Sequence, residues 1–138
     1  MKLNVQLKFA GNAEEAFLFY KNIFNTDLSP IYRYKDMAAM GMDNIPKSVE
    51  NYVANIMISI GESKIIGFDV SEEGFNRSKN QDTLIHITPD SKEDAKRIFD
   101  ALSENGKVVN PINQTPFGYY GSLIDKYGVG WEVLIENL

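Results

Sequence analysis

The feature that most constrains this chain is a helix signature that occurs twice at a constant spacing. The first copy starts at Asn12 with Glu15 three positions on, an N-cap and N3 carboxylate arrangement, and its apolar stripe is Ala16, Phe19, Tyr20 and Ile23. The second starts at Ser91 with Asp94 three on, and its stripe is Ala95, Ile98, Phe99 and Leu102. Every member of the second set follows its counterpart by 79 positions, from 12 to 91 at the cap and from 23 to 102 at the end of the stripe. Agreement at the cap and along the stripe points to an internal duplication. Chance coincidence of two amphipathic helices is the competing explanation.

The flanking segments extend the repeat. A short alternating stretch precedes each helix, at 3–9 and at 83–88, and strand-like runs follow at 29–34, 52–60 and 64–70, then at 107–110, 119–125 and 131–136. Gly61-Glu62-Ser63 reads as a tight hairpin connection, and Tyr127-Gly128-Val129-Gly130 as a second. The polar stretch 71–81 reads as a linker, and neither half is long enough to hold a core alone. The expected fold is therefore α+β. One domain, 1–138, is built from two βαβββ modules at about 1–72 and 80–138, with a curved mixed sheet around a cup. Alternate strand residues point to opposite faces. Ala54, Ile56, Ile58 and Ile60 are assigned to the helix side, as are Val5, Leu7 and Phe9, while Gln6, Asn55, Met57, His86 and Glu132 fall on the front.

Composition excludes several classes of chemistry. The 138 residues include no cysteine, which removes disulfide scaffolds, thiolate metal sites and cysteine nucleophiles, and fits a reducing, cytoplasmic setting. The net charge is −5, and the 14 Lys and Arg residues are scattered rather than striped, so no nucleic-acid partner is expected. No apolar run approaches the ~20 residues needed to span a bilayer, so no membrane partner is expected. Gly-x-Ser-x-Gly elbows, phosphate loops and dinucleotide fingerprints are absent, which argues against a hydrolase triad and a nucleotide cofactor.

The chain resembles the vicinal-oxygen-chelate superfamily, which includes the glyoxalases and the bleomycin- and fosfomycin-resistance proteins, and more narrowly its PhnB-like branch. The resemblance is carried by Phe9-Ala10-Gly11-Asn12-Ala13-Glu14-Glu15-Ala16 with Phe19-Tyr20 in the first half. In the second half it is carried by Ile98-Phe99-Asp100-Ala101-Leu102, Gly106-Lys107-Val108 and the run from Gly121-Ser122-Leu123 through Tyr127-Gly128-Val129-Gly130-Trp131. It implies a glyoxalase/bleomycin-resistance-like fold and a homodimer. Metal-using members hold their ion on the first and fourth strands of each half, which maps approximately onto Gln6 (or Asn4), Asn55, His86 and Glu132. Only His86 and Glu132 are first-choice ligands among these, and Asn55 stands where close relatives commonly have a histidine. Nothing in the chain resembles the S-adenosylmethionine loop that the methyltransferase label of this branch would require.

His86 is the sole histidine, and it reads either as a metal or ligand contact or as a satisfied strand histidine. Glu132 is a candidate general acid or base and metal ligand, or else an edge residue. Asn55, Met57, Tyr119 and Tyr120 are candidate ligand contacts, against ordinary core packing for the two aromatics. Met37, Met40 and Met42 lie in a stretch, 34–46, read as a loop that covers a ligand, packs locally or meets a second subunit.

The preferred reading is a small-molecule-binding protein with a degenerate metal site. The alternative is a divalent-metal lyase, isomerase or dioxygenase (Zn, Ni, Mn or Fe) using Gln6, His86 and Glu132. A ligand-free interaction dimer is the third.

Overall fold

The computed structural model describes residues 1–42, 44–71, 75, 77 and 82–137. Most of the stretch read as a linker, together with Asp43 of the methionine-rich stretch, lies outside the described residues. The chain divides into two compact units, Met1–Asn76 and Arg77–Leu138.

The first unit contains β1 (Val5–Phe9), α1 (Ala13–Phe24), β2 (Tyr32–Arg33), α2 (Tyr34–Ala39), β3 (Val53–Ile60) and β4 (Ser63–Asp69). Its sheet has the order β1-β4-β3-β2, with β1 parallel to β4 and the other pairs antiparallel. The second unit contains β5 (Ile85–Ile87), α3 (Lys92–Leu102), β6 (Lys107–Thr115), β7 (Gly118–Ile124) and β8 (Gly130–Glu136). Its order is β5-β8-β7-β6, again with only the first pair parallel. Two four-stranded mixed sheets with the same strand order and the same sense of pairing are what the doubled helix signature predicts.

The long helices, α1 and α3, each lie on the back of their own sheet. In the second unit Ala95, Ile98, Phe99 and Leu102 are all buried, as the stripe predicts. In the first unit the stripe is rotated. Ala13, Ala16, Phe17, Tyr20 and Ile23 are buried, whereas Phe19 is only half-buried. The reason lies in the sheet beneath. Gly67 of β4 leaves room for Phe17, and a Cβ at that position would run into the Phe17 ring. Phe17 then meets Phe9 and Tyr20 edge-on, with ring centroids 6.0 and 5.8 Å away. Gly121 of β7 does the same for Phe99, whose ring lies 2.7 Å from where a Cβ would be.

The two helix starts are held differently. Ser91 caps α3 through its hydroxyl, which accepts from the Asp94 N–H at 3.1 Å. Asn12 makes no side-chain cap bond. Its place is taken by Asp69, at the end of β4 and 1% exposed. Asp69 Oδ1 accepts from the N–H groups of Gly11 and Ala13 at 2.9 and 3.0 Å, and Oδ2 from that of Val53 at 2.9 Å. A buried carboxylate is tolerated there because three backbone donors and the positive end of α1 face it. The Asp69 carbonyl also accepts from the Tyr34 hydroxyl at 2.6 Å. Burial, helped by the charge of Asp69, raises the Tyr34 phenol above its ordinary value.

Three local expectations are corrected. The strand expected at 29–34 is reduced to Tyr32–Arg33, because Pro30 has no N–H for a ladder and Asp36 accepts from the Arg33 N–H at 2.8 Å to start α2. The stretch read as a loop from 34 therefore opens as the helix Tyr34–Ala39. The strand expected at 107–110 runs on to Thr115, passing Pro111 through register shifts on a sheet edge, where proline is allowed.

Two outcomes follow for stability. Asp69→Ala should lower urea-unfolding stability by about 3–5 kcal/mol, since two buried backbone donors, Ala13 and Val53, and the part-buried Gly11 N–H lose their acceptor at once. Ser91→Ala should lower it by about 1 kcal/mol, and Asn12→Ala by far less. If Asn12→Ala proves as damaging as Ser91→Ala, the assignment of the cap to Asp69 is wrong. The raised phenol adds a pH effect. Its contribution is complete below the unfolded value of 10.0 and is lost as pH rises through the folded one. Alkaline unfolding curves should therefore fall less steeply for Tyr34→Phe than for the parent.

Candidate functional site

Strand register in the second unit assembles a row of polar side chains on the front, away from α3. His86 pairs with Glu132 across β5 and β8, Glu132 with Ser122 across β8 and β7, and Ser122 with Asn110 across β7 and β6. Residues paired in this way share a face. The back of the same strands carries Trp131, Val133 and Leu123, all buried.

Two contacts organise the row. His86 Nδ1 lies 2.7 Å from Glu132 Oε1, and His86 Nε2 lies 3.3 Å from the Thr88 hydroxyl. With Nδ1–H donating to the carboxylate, Nε2 is the imidazole nitrogen left to accept from Thr88 or from a ligand. Asn110 Nδ2 donates to the Ser122 hydroxyl at 2.8 Å, and Ser122 is buried.

Below the row the same face becomes apolar. Asn110, Pro111, Asn113, Thr115, Pro116, Phe117, Tyr120 and Leu134 line an open groove of about 600 Å³. Asn110 belongs to both row and groove. The β6–β7 turn that carries Phe117 is held by Thr115, whose hydroxyl donates to the Gly118 carbonyl at 2.7 Å and accepts from the N–H groups of Phe117 and Gly118. The β7–β8 connection is held by a second buried aspartate. Asp125 Oδ1 accepts from the Tyr127 and Val129 N–H groups, and Oδ2 from the Trp131 indole N–H at 2.8 Å.

The residues singled out from sequence fall as follows. His86 and Glu132 come together, and Tyr120 lines the groove. Tyr119 lies on the opposite, helix-bearing face, where the Lys92 ammonium sits 5.5 Å over its ring. Gln6, Asn55 and Met57 belong to the first unit. There Gln6 pairs with Ile66 and Ile66 with Met57, so the place that Glu132 holds on the fourth strand of the second unit is filled in the first by Ile66. Asn55 is on the third strand, opposite Tyr32. Ser122 and Asn110 were missed. The alternation Tyr120, Ser122, Ile124 places Ser122 on the front, but its alignment with Glu132 and Asn110 depends on pairing between strands.

A catalytic divalent ion takes about three protein ligands. Among the described residues no group of three His, Cys, Asp or Glu side chains is placed to hold one. The second unit offers two strong donors, His86 and Glu132, already joined to each other, and this does not make such a site. Among the described residues, no helix is long and apolar enough to cross a membrane.

Comparisons with known proteins agree with this architecture. The chain is 28% identical to protein YjdN of Escherichia coli K12 over 96% of its own length and 94% of that protein's. It superposes on protein PA1353 of Pseudomonas aeruginosa with a TM-score of 0.83 at 23% identity, covering 99% of this chain and 98% of that one. For a PhnB protein of Bacillus cereus, described as a putative 3-demethylubiquinone-9 3-methyltransferase, the TM-score is 0.78 at 25% identity, covering 97% and 98%. More distant likenesses, of fold alone, are a glyoxylase/bleomycin resistance protein/dioxygenase domain from Frankia (TM-score 0.69) and the fosfomycin resistance protein FosX of Listeria monocytogenes (TM-score 0.65), the latter in complex with Mn(II) and dihydroxypropylphosphonic acid. Residues 1–134 match the family described as 3-demethylubiquinone-9 3-methyltransferase, and the chain belongs to that PhnB-like family, on the glyoxalase/bleomycin-resistance fold.

Proposed function

We propose that this protein binds a small molecule on the front of its second unit. The supporting observation is the continuity, through Asn110, between a polar row (His86, Glu132, Ser122, Asn110) and an apolar groove. An apolar wall with a few convergent hydrogen-bonding groups is the usual make-up of a ligand site. The row would orient the ligand's polar group, and Tyr120 with its neighbours would cover the apolar part. Asn55 and Met57, on the front of the first sheet, are proposed as ligand contacts of that unit by itself.

In this reading the metal site is degenerate. Glu132 serves chiefly to fix the tautomer and direction of His86, and acts on a ligand's proton only if its second oxygen is free to reach it. The proposal is of binding and does not extend to methyl transfer. The protein is further proposed to act as a cytoplasmic homodimer.

A second reading is favoured by the 2.7 Å contact between His86 and Glu132 and by the Mn(II) held in the FosX complex. It makes the protein a divalent-metal lyase, isomerase or dioxygenase with His86 and Glu132 as its ligands in the second unit.

Metal analysis of protein purified without a chelator or a histidine tag separates the two. The binding reading expects no stoichiometric Zn, Ni, Mn or Fe, and no change in metal content for His86→Ala. Stoichiometric metal that is lost in His86→Ala would reverse the order of the two readings. Independently, a thermal-shift screen should find ligands that raise the melting temperature of the parent but not of Tyr120→Ala, through linkage.

A further inference from the structure

The groove specifies more than the presence of a ligand. Its eight lining residues are all uncharged, so a fixed charge on the ligand would lose water there without gaining a counter-ion. Its walls are rings: Tyr120 on β7, Pro111 on β6, and Pro116 with Phe117 on the turn, with Leu134 beside them. Phe117 is 80% exposed, an unusual state for so large an apolar side chain, yet the Thr115 hydroxyl pins the turn that carries it. An exposed aromatic on a turn whose backbone is held, lining the same groove as a second aromatic, is suited to stacking against a flat ring. Along one edge stand Asn110 and Asn113, whose amides can both donate to and accept from a substituent in the plane of that ring.

We propose that the groove takes a neutral, flat aromatic ring bearing a hydroxyl or carbonyl group, with Phe117 as the stacking partner that sets this preference. The inference rests on the binding reading above and narrows it. It also sets this site apart from one built for a phosphonate, since no lysine or arginine lines the groove.

Four probes test it by NMR titration of the 15N-labelled full chain: 1-naphthol, decahydro-1-naphthol, 1-naphthoate and methylphosphonate. The expected result is that 1-naphthol shifts the Asn110, Asn113 and Gly118 signals with a Kd on the order of 100 µM. The saturated alcohol and the two anions should bind at least about fivefold more weakly. Phe117→Ala should weaken 1-naphthol by about five- to tenfold, with Phe117→Tyr restoring it. Because Phe117 is mostly exposed, an unchanged melting temperature shows that the variant is folded. If decahydro-1-naphthol or either anion binds in the groove as well as 1-naphthol does, or if Phe117→Ala has no effect, the ring preference is overturned while the binding reading stands. If none of the four probes shifts any groove residue, the binding reading at this groove falls, and this inference falls with it.

Discussion

The first unit depends on one buried carboxylate. Asp69 closes β4, accepts from the backbone on both sides of the α1 start, and accepts again from the first residue of β3. Three segments far apart in sequence are thereby fixed at one point, and every one of them leads into an element of the sheet or the helix on its back. Asp125 has a comparable role in the second unit at a different place. There the acceptor closes the turn between β7 and β8 and takes the Trp131 indole proton. Both are acidic residues placed where backbone donors outnumber any other partner, which is how a charge survives in an interior.

Much of the fold was legible because it depends on local pattern. The α3 stripe, the period-two faces of β3 and β8, and the Gly61 turn are all set by residues close in sequence. The failures have a common cause, which is a partner from elsewhere. Phe17 displaced Phe19 from the stripe because Gly67, fifty residues on, made space for it. Asn12 looked like a cap, but the bond went to Asp69. The helix at Tyr34 was hidden because its start follows a proline and a two-residue strand, and its sequence has no apolar stripe to reveal it.

The site divides in the same way. His86 and Glu132 stood out by residue type and strand face, and the β5–β8 register set them in contact. Ser122 and Asn110 could not be joined to them without knowing which residues of β6, β7 and β8 lie opposite one another, and β6 shifts register twice along that edge. The groove lay further beyond reach, since the strand expected to end at Asn110 continues through the residues that line it.

The bond between Trp131 and Asp125 has an optical consequence. Trp131 is the sole tryptophan in the chain, is fully buried, and belongs to the second unit. The first unit has no indole of its own. Tryptophan emission therefore reports on the sheet that carries the groove, and an indole N–H held by a carboxylate has its environment changed by anything that loosens the β7–β8 turn. A spectroscopic signal for half of the molecule is thus already built into the sequence.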